Sequence, residues 1–149
     1  MVELRFEQSS PAKVYPAGST GQGALVFWAW CLLALLDVVL KIAGFNQFYR
    51  MIRVWPTIGK TPLAARHDRG REGCNAVERA RTYYFKRAFC LQAAAAAVCL
   101  LRCRGIPAEL VIGVRKLPFY AHAWAELDGQ VMINARPELE TLYRVIARS

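Results

Sequence analysis

The sequence contains only two histidines, His67 and His122, among its 149 residues. Five cysteines accompany them, and Cys99 and Cys103 lie four positions apart, yet no histidine or further cysteine pair stands at the spacing of zinc ligands. We therefore expect neither a metal site nor a cofactor. The odd number of cysteines, in a chain that opens without a secretory signal peptide, predicts reduced thiols in the cytoplasm rather than a disulfide framework.

Acidic residues are few as well. Eleven aspartates and glutamates stand against 20 lysines and arginines, which gives a formal net charge of +9. This excess favours an acidic partner, such as anionic lipid, an acidic protein or an acidic peptide. No nucleic-acid motif or aromatic–basic repeat accompanies it, so we expect no nucleic-acid partner. The length and the 55% apolar content predict one compact domain with a real core.

The chain lacks an uninterrupted apolar run of membrane-spanning length. Residues 24–36 (ALVFWAWCLLALL) are apolar throughout, but Asp37 and Lys41 interrupt the run before the ~20 residues that a spanning helix needs. We favour a helix buried in the fold or against a partner protein. A helix lying on or partly in a membrane and a single span are the alternatives. Tryptophans beside basic residues suit an interface, so membrane-surface contact through residues 24–43 stays an open alternative.

The segments on either side of this run carry helix-breaking or charged residues. Prolines and glycines in residues 1–23 predict an extended arm. Residues 45–66 mix aromatics, basic residues and two prolines, which indicates a connector with a short helix at most. Residues 66–73 (RHDRGREG) are predicted to form a charged loop, in which His67 is a solvated side chain.

Regular structure is predicted to follow that loop. Residues 74–88 have the composition of an amphipathic helix, and residues 90–105 are rich in alanine and leucine and end at a glycine, which predicts a second, buried helix. Three strands are then predicted, at 108–115, 121–127 and 130–135, the last two joined by an Asp-Gly turn. The order indicates an α+β domain in which the long helix packs on an antiparallel sheet.

Cys90 is the candidate nucleophile because it stands at the start of the alanine-rich helix. The N-terminal end of a helix dipole favours a thiolate over a thiol, and the N–H groups of the first turn can donate to an oxyanion. We expect the other cysteines to be small core residues: Cys31, Cys74, Cys99 and Cys103.

The hairpin after His122 has two candidate registers. A two-residue turn would pair Leu127 with Gln130 and send Asn134 to the face away from His122. A three-residue loop would place His122 directly opposite Asn134. In that register the side-chain carbonyl of Asn134 could hold the imidazole, as the third member of a Cys-His-Asn set does.

Several motifs follow one another in the second half of the chain: Cys90-Leu91, RGIPA at 104–108, LVIGVRK at 110–116, PFYAHAW at 118–124 and ELDGQV at 126–131. Together they resemble the transglutaminase-like leader peptidases of lasso-peptide biosynthesis. The form that they resemble is the short, split one, in which a separate small protein recognises the leader. The resemblance runs from about residue 74 to the C-terminus.

This resemblance implies a transglutaminase-like, papain-like α+β fold with two parts. Residues 1–73 would be an N-terminal arm, hydrophobic helix and connector, and residues 74–149 the cysteine peptidase core. The implied activity is removal of the leader from a ribosomally made lasso-peptide precursor. The implied partners are the precursor leader, a small leader-recognition protein and an asparagine-synthetase-like, ATP-dependent macrolactam cyclase. The first apolar helix would then be a docking surface for one of the two proteins.

Carried over by position, the nucleophile of the family falls on Cys90 and its histidine on His122. The third residue of the family is usually an aspartate, and here that position is Asn134. An asparagine can orient an imidazole but cannot offset its positive charge. Asp128 and Glu126 therefore remain alternative third members.

Tyr120 and Trp124 are candidate substrate-binding residues beside the histidine, with core packing the favoured fate of Trp124. Two other functions compete with proteolysis. The same cysteine–histidine pair serves acyl transfer to an amine in a true transglutaminase. A catalytically degenerate module that only binds an acidic peptide is the third hypothesis.

Overall fold

The computed structural model describes residues 21–84, 90–116, 119–134 and 143–149. Three helices precede the strands along the chain: α1 (Gly21–Val54), α2 (Leu63–Thr82) and α3 (Cys90–Cys103). Four strands follow: β1 (Glu109–Arg115), β2 (Tyr120–Leu127), β3 (Gln130–Ile133) and β4 (Arg144–Arg148). The predicted α+β order, with helices first and an antiparallel sheet after them, is confirmed.

The strands form one antiparallel sheet in the order β3-β2-β1-β4. Side chains alternate between its faces. One face joins the main core with α3 through Leu110, Ala123 and Leu127. The opposite face carries a smaller apolar cluster that is built on Val111 and Trp124. The pairing of Gly113 with His122 puts the histidine on this second face, two residues from Trp124.

Helix α3 is the centre of the main core. Its five consecutive alanines, residues 93–97, are all fully buried. Because an alanine side chain is a single methyl group, α1, α2 and the sheet can approach the α3 backbone closely. Burial of so uniform a helix confirms the prediction of a deeply buried alanine-rich helix. It also fixes Cys90, its first residue, against the surrounding elements.

The predicted charged loop at residues 66–73 is wrong, because those residues lie in the middle of α2. Gly70 and Gly73 have low helix propensity, so the sequence does not indicate a helix here. A Cβ added at Gly70 would lie 2.9 Å from Met132 Cε, and one at Gly73 would lie 2.7 Å from Leu101 Cδ2. The glycines are therefore needed for close packing, and tertiary contacts override their low helix propensity. His67 is helical and lies 3.8 Å from the carboxylate of Asp128.

The predicted connector at residues 45–66 is also wrong in its first part and at its end, where residues 63–66 begin α2. Helix α1 runs on to Val54 after a break at Gly44, whose φ of 76° and ψ of 174° are not helical. Beyond the break, Phe48 and Ile52 are fully buried, and this packing holds the last turns in place. Residues 21–23 of the predicted arm belong to α1, and residues 1–20 lie outside the described part of the chain.

The predicted boundary between residues 73 and 74 falls inside α2, and all three helices contribute to one core cluster. The division into an N-terminal part and a peptidase core stays a prediction. Strand β4 was not predicted at all. Its pairing with β1 completes the sheet edge opposite to β3.

By length and composition α1 could cross a membrane, and only 22% of its most apolar stretch is buried in the fold. Before the break at Gly44, five exposed large hydrophobic side chains fall within ~100° on one side of the helix, with Trp30 outside this range. We call these five the apolar stripe: Phe27, Trp28, Leu35, Val38 and Ile42.

Candidate active site

Cys90 is half-buried at the first residue of α3, as predicted. Two of the other thiols lie in the core as expected, and burial raises the pKa of Cys74 and of Cys99 to about 12. Cys103 is exposed and Cys31 is half-buried, so the expectation of a core position is wrong for Cys103. The described thiols thus differ sharply in their access to solvent.

His122 lies in the middle of β2 and is 9% exposed. Its Nε2 atom is 2.9 Å from the backbone carbonyl oxygen of Asn134. A carbonyl oxygen can only accept, so Nε2 carries the proton in this contact. In the neutral ring Nδ1 is then the nitrogen with the lone pair, which is the form that a general base requires.

Among the described residues, two aromatic rings flank the imidazole of His122. The ring of Trp124 is stacked at 6.1 Å between centroids, with 25° between the planes. The ring of Tyr143 lies at 5.9 Å and is tilted by 49°. The two rings thus restrict the imidazole on the sheet face that points away from α3, whereas Cys90 packs against the main core on the other face.

Asn134 connects the cysteine and the histidine. Its side-chain nitrogen Nδ2 donates to the carbonyl oxygens of Cys90, at 2.9 Å, and Ala123, at 3.0 Å. Its Oδ1 accepts from Nη1 of Arg81 at 3.2 Å. The backbone of Asn134 is left-handed, with φ of 58°, a conformation that asparagine adopts more readily than most residues. One residue therefore contacts both Cys90 and His122.

The hairpin adopts the two-residue turn, and the three-residue register is wrong. Leu127 pairs with Gln130, and Asp128 and Gly129 both have positive φ, at 50° and 79°, as a type I′ turn requires. A bulge between Ala125 and Glu126 then shifts the pairing by one residue.

The predicted contact between His122 and the side-chain carbonyl of Asn134 is corrected accordingly. The chain leaves the ladder after Ile133, and Asn134 turns into the left-handed region. Its backbone carbonyl therefore contacts the ring, while its side-chain carbonyl contacts Arg81.

The two alternative third members have other partners. Glu126 accepts from Trp124 Nε1 at 2.7 Å and from Arg148 Nη1 at 2.6 Å. It is four residues from His122 on the same strand, which corresponds to ~13 Å. The carboxylate of Asp128, in the turn, is 3.7 Å from Arg66 Nη1. The geometry thus favours Asn134 over both carboxylates.

Of the two predicted substrate-binding residues, Trp124 is only 3% exposed and packs with Val111 and Tyr143. This burial accords with a packing role beneath His122. Tyr120 is half-buried at the first residue of β2. A substrate contact by Tyr120 or Trp124 stays a prediction.

Three residues of the site were not found from the sequence: Arg81, Tyr143 and Gly113. A Cβ at Gly113 would lie 2.7 Å from Trp124 Cη2, so this glycine makes room for the indole ring. A glycine inside a β-branched strand is a recognised indication of such a close approach. Nothing in the sequence pattern singles out Arg81 or Tyr143, because both contacts depend on the tertiary arrangement.

Comparison with known protein families matches residues 32–148 to the family described as "Transglutaminase-like superfamily". The chain belongs to this superfamily. The match covers Cys90, His122 and Asn134 together with most of α1, so it extends well before residue 74, where the resemblance began. The predicted transglutaminase-like fold is thereby confirmed.

Among curated proteins, the chain is similar to the "Microcin J25-processing protein McjB" of Escherichia coli. The two are 52% identical over 48 residues, which are 32% of this chain and 23% of that protein. The aligned part thus spans about a quarter of the length of this relative. No solved structure matches the chain significantly.

Proposed function

We propose that this protein is a cysteine endopeptidase that removes the leader from a ribosomally made lasso-peptide precursor. The observation that carries the proposal is a pair of contacts made by Asn134. Its side-chain amide donates to the carbonyl oxygen of Cys90, and its backbone carbonyl oxygen accepts from the ring of His122. Membership of a transglutaminase-like family and similarity to a peptide-processing protein support it.

In the proposed reaction, the imidazole of His122 turns from the sheet face that it shares with Trp124 towards the start of α3, and its Nδ1 takes the proton of the Cys90 thiol. The sulfur then attacks the scissile carbonyl carbon, and the carbonyl electrons move to its oxygen. Backbone N–H groups in the first turn of α3 stabilise that oxyanion. The tetrahedral intermediate expels the amine, which receives the proton from His122, and a thioester remains on Cys90. Water, deprotonated by His122, hydrolyses the thioester and regenerates the thiol.

Asn134 supplies no negative charge to the imidazolium that forms in this cycle. The rings of Trp124 and Tyr143, with centroids 6.1 and 5.9 Å from that of His122, present π electrons to it. A cation near an aromatic face is stabilised at about this distance. We infer that these two rings supply part of the stabilisation that an aspartate would otherwise provide.

Incubation of precursor peptide with this protein and a leader-recognition protein should release the leader, as detected by mass spectrometry. Cys90→Ala should abolish the release, because it removes the nucleophile. Cys103→Ala is the matched control, since this thiol is exposed at the other end of the same helix. Cleavage by Cys90→Ala at the wild-type rate would reject the proposal.

Acyl transfer to an amine is the second candidate, because the family takes its name from transglutaminases. The two reactions differ in their products. Hydrolysis breaks the peptide chain, whereas transfer from a glutamine releases ammonia and forms a cross-link. A catalytically degenerate peptide-binding module would give neither product. The mass of the product distinguishes all three functions.

We also propose that α1 lies on an anionic membrane surface on the cytoplasmic side. Its exposed charged residues are all basic: Lys41, Arg50 and Arg53. The acidic residue of the helix, Asp37, is buried, accepts from Gln92 and lies 3.2 Å from Lys41 Nζ, so Arg50 and Arg53 are the basic residues without a partner on this helix's acidic side chain. An apolar stripe with tryptophan beside basic residues suits an interfacial helix. The leader-recognition protein and the cyclase remain partners proposed from the family resemblance.

A further inference from the structure

Arg81 stands in the last turn of α2, outside the set of residues that the proposed reaction uses. Its side chain is 23% exposed, and its Nη1 atom is 3.2 Å from Asn134 Oδ1. The same nitrogen is 3.7 Å from Glu78 Oε1, one turn earlier on α2. A guanidinium group donates and never accepts, so it can bond only the oxygen of the Asn134 carboxamide.

The orientation of that carboxamide matters to the site. With Oδ1 towards Arg81, Nδ2 points at the carbonyl oxygens of Cys90 and Ala123 and donates to both. A rotation by half a turn would set an oxygen against two carbonyl oxygens and an amide nitrogen against a cation. All the side-chain hydrogen bonds of Asn134 would then be lost.

We propose that Arg81 is a positioning residue, which acts through Asn134 to fix the first residue of α3 relative to His122. The positioning itself does not depend on the proposed function. The inference rests on that function only where it says that the fixed geometry serves catalysis. Arg81 on α2, Cys90 on α3 and Ala123 on β2 meet at one carboxamide, so three elements are joined there. The backbone carbonyl of the same residue bonds the histidine ring.

The first test measures peptide cleavage. Arg81→Met removes the donor but keeps an unbranched side chain, and we expect kcat to fall at least tenfold with KM changed less than twofold. Small displacements of reacting groups reduce rates by such factors without affecting substrate binding. Arg81→Lys keeps a cationic donor and should recover most of the lost kcat.

Two controls separate positioning from a general effect of charge. Arg79→Met removes an arginine of the same helix that bonds Gln22 instead, with Nη1 at 3.0 Å from Oε1. Glu78→Gln removes the ion pair of Arg81 but leaves its bond to Asn134. Both variants should keep kcat within twofold of the wild type.

The second test does not need the substrate. In a Cys31→Ala/Cys103→Ala background, the rate of alkylation of Cys90 by iodoacetamide at pH 7 should fall at least fivefold with Arg81→Met. An unchanged rate in a variant with the wild-type melting temperature would overturn the inference. If Arg81→Met does not fold, Arg81→Ala, which also lacks a donor, is compared with Arg81→Lys in the same assay. An equal alkylation rate for these two would likewise overturn the inference.

The two proposals fail in different ways. If wild-type protein cleaves no precursor, or if Cys90→Ala still cleaves it, the proposed function is rejected. The alkylation rates then still decide whether Arg81 positions Cys90. If cleavage depends on Cys90 but is indifferent to Arg81→Met, only the inference about Arg81 is lost.

Discussion

Asn134 Nδ2 lies 2.9 Å from the carbonyl oxygen of Cys90. This hydrogen bond joins the residue after the third strand to the first residue of the buried helix. Only a hydrogen-bond donor fits at the position of Nδ2, because its second neighbour is also a carbonyl oxygen, that of Ala123. An asparagine side chain therefore matches the two acceptors that surround its nitrogen.

We therefore expect Asn134→Asp to lower kcat for leader removal at least tenfold, although it restores the aspartate that the family usually has. One carboxylate oxygen would face the carbonyl oxygens of Cys90 and Ala123 without a proton between them. Steady-state cleavage assays would measure the effect. Asn75→Asp adds the same charge on α2 and should leave kcat within twofold. A gain in kcat for Asn134→Asp would contradict the fit.

The cysteines should differ in their reactivity towards iodoacetamide in the native protein. Since the thiolate is the reactive form, a pKa of about 12 leaves ~10⁻⁴ of Cys74 and of Cys99 reactive at pH 8. Both should stay unmodified until the protein unfolds, whereas exposed Cys103 is labelled at once. We expect Cys90 to react faster than Cys103, as a nucleophile should. Peptide mapping by mass spectrometry over time would detect a reversed order.

Stability should decline at alkaline pH because of the buried thiols. The pKa of Cys99 rises from the ordinary value of 9.0 to about 12 on folding. Its stabilising contribution is complete below pH 9 and is lost as the pH rises through 12, since the unfolded state releases its proton first. By pH 10.5 the loss is about 2 kcal/mol for one such thiol.

Urea unfolding at pH 8 and pH 10.5 checks this decline. In Cys99→Ala the free energy of unfolding should fall less steeply between the two pH values than in the wild type. Cys103→Ala should keep the wild-type slope, because its side chain is in water in both states. Equal slopes for all three proteins would show that burial of Cys99 does not affect alkaline stability.

Gly113→Ala should destabilise the fold and slow cleavage. The added Cβ would lie 2.7 Å from Trp124 Cη2, and the indole ring that must move supports His122 by stacking. Overpacking of this kind costs about 1–3 kcal/mol. Thermal unfolding and kcat would both report it. Gly23→Ala, in a helix and with nothing within 4 Å of the added atom, should be neutral or stabilising.

The apolar stripe should bind vesicles that contain anionic lipid. We expect the protein to sediment with phosphatidylglycerol vesicles, less so at high salt, and the double variant Trp28→Ser/Ile42→Ser to remain in solution. Leu63→Ser, at a 70% exposed side chain away from the stripe, is the control. If vesicles do not bind and the double variant instead weakens the complex with a leader-recognition protein, the stripe is a protein-docking surface.

Much of the fold was predictable because its determinants are local. The alanine-rich run ending in Gly105 predicted α3, and the β-branched runs with Asp-Gly between them predicted β1, β2 and the hairpin. The α+β class followed from their order. Cys90 and His122 were identified because one begins that helix and the other interrupts that strand, and both features are visible along the chain.

Other features depend on contacts between distant segments. Gly70 and Gly73 leave room within α2 for Met132 and Leu101, which an added Cβ would meet at 2.9 and 2.7 Å. The composition of strand β4 does not distinguish it from a loop, and it becomes a strand through its pairing with β1. Helix α1 likewise continues after the break at Gly44, because the side chains of Phe48 and Ile52 are buried in the core.

The amino-acid sequence by itself determined α3, the first three strands and the two reactive residue types, since helix and strand periodicity, turn chemistry and the position of a thiol at a helix start are local properties. Only the tertiary structure decided the register beyond Ala125, the backbone contact between Asn134 and His122, and the approach of Arg81. A bulge and one left-handed residue change which atoms meet, and their energies depend on neighbours that are far away in the chain.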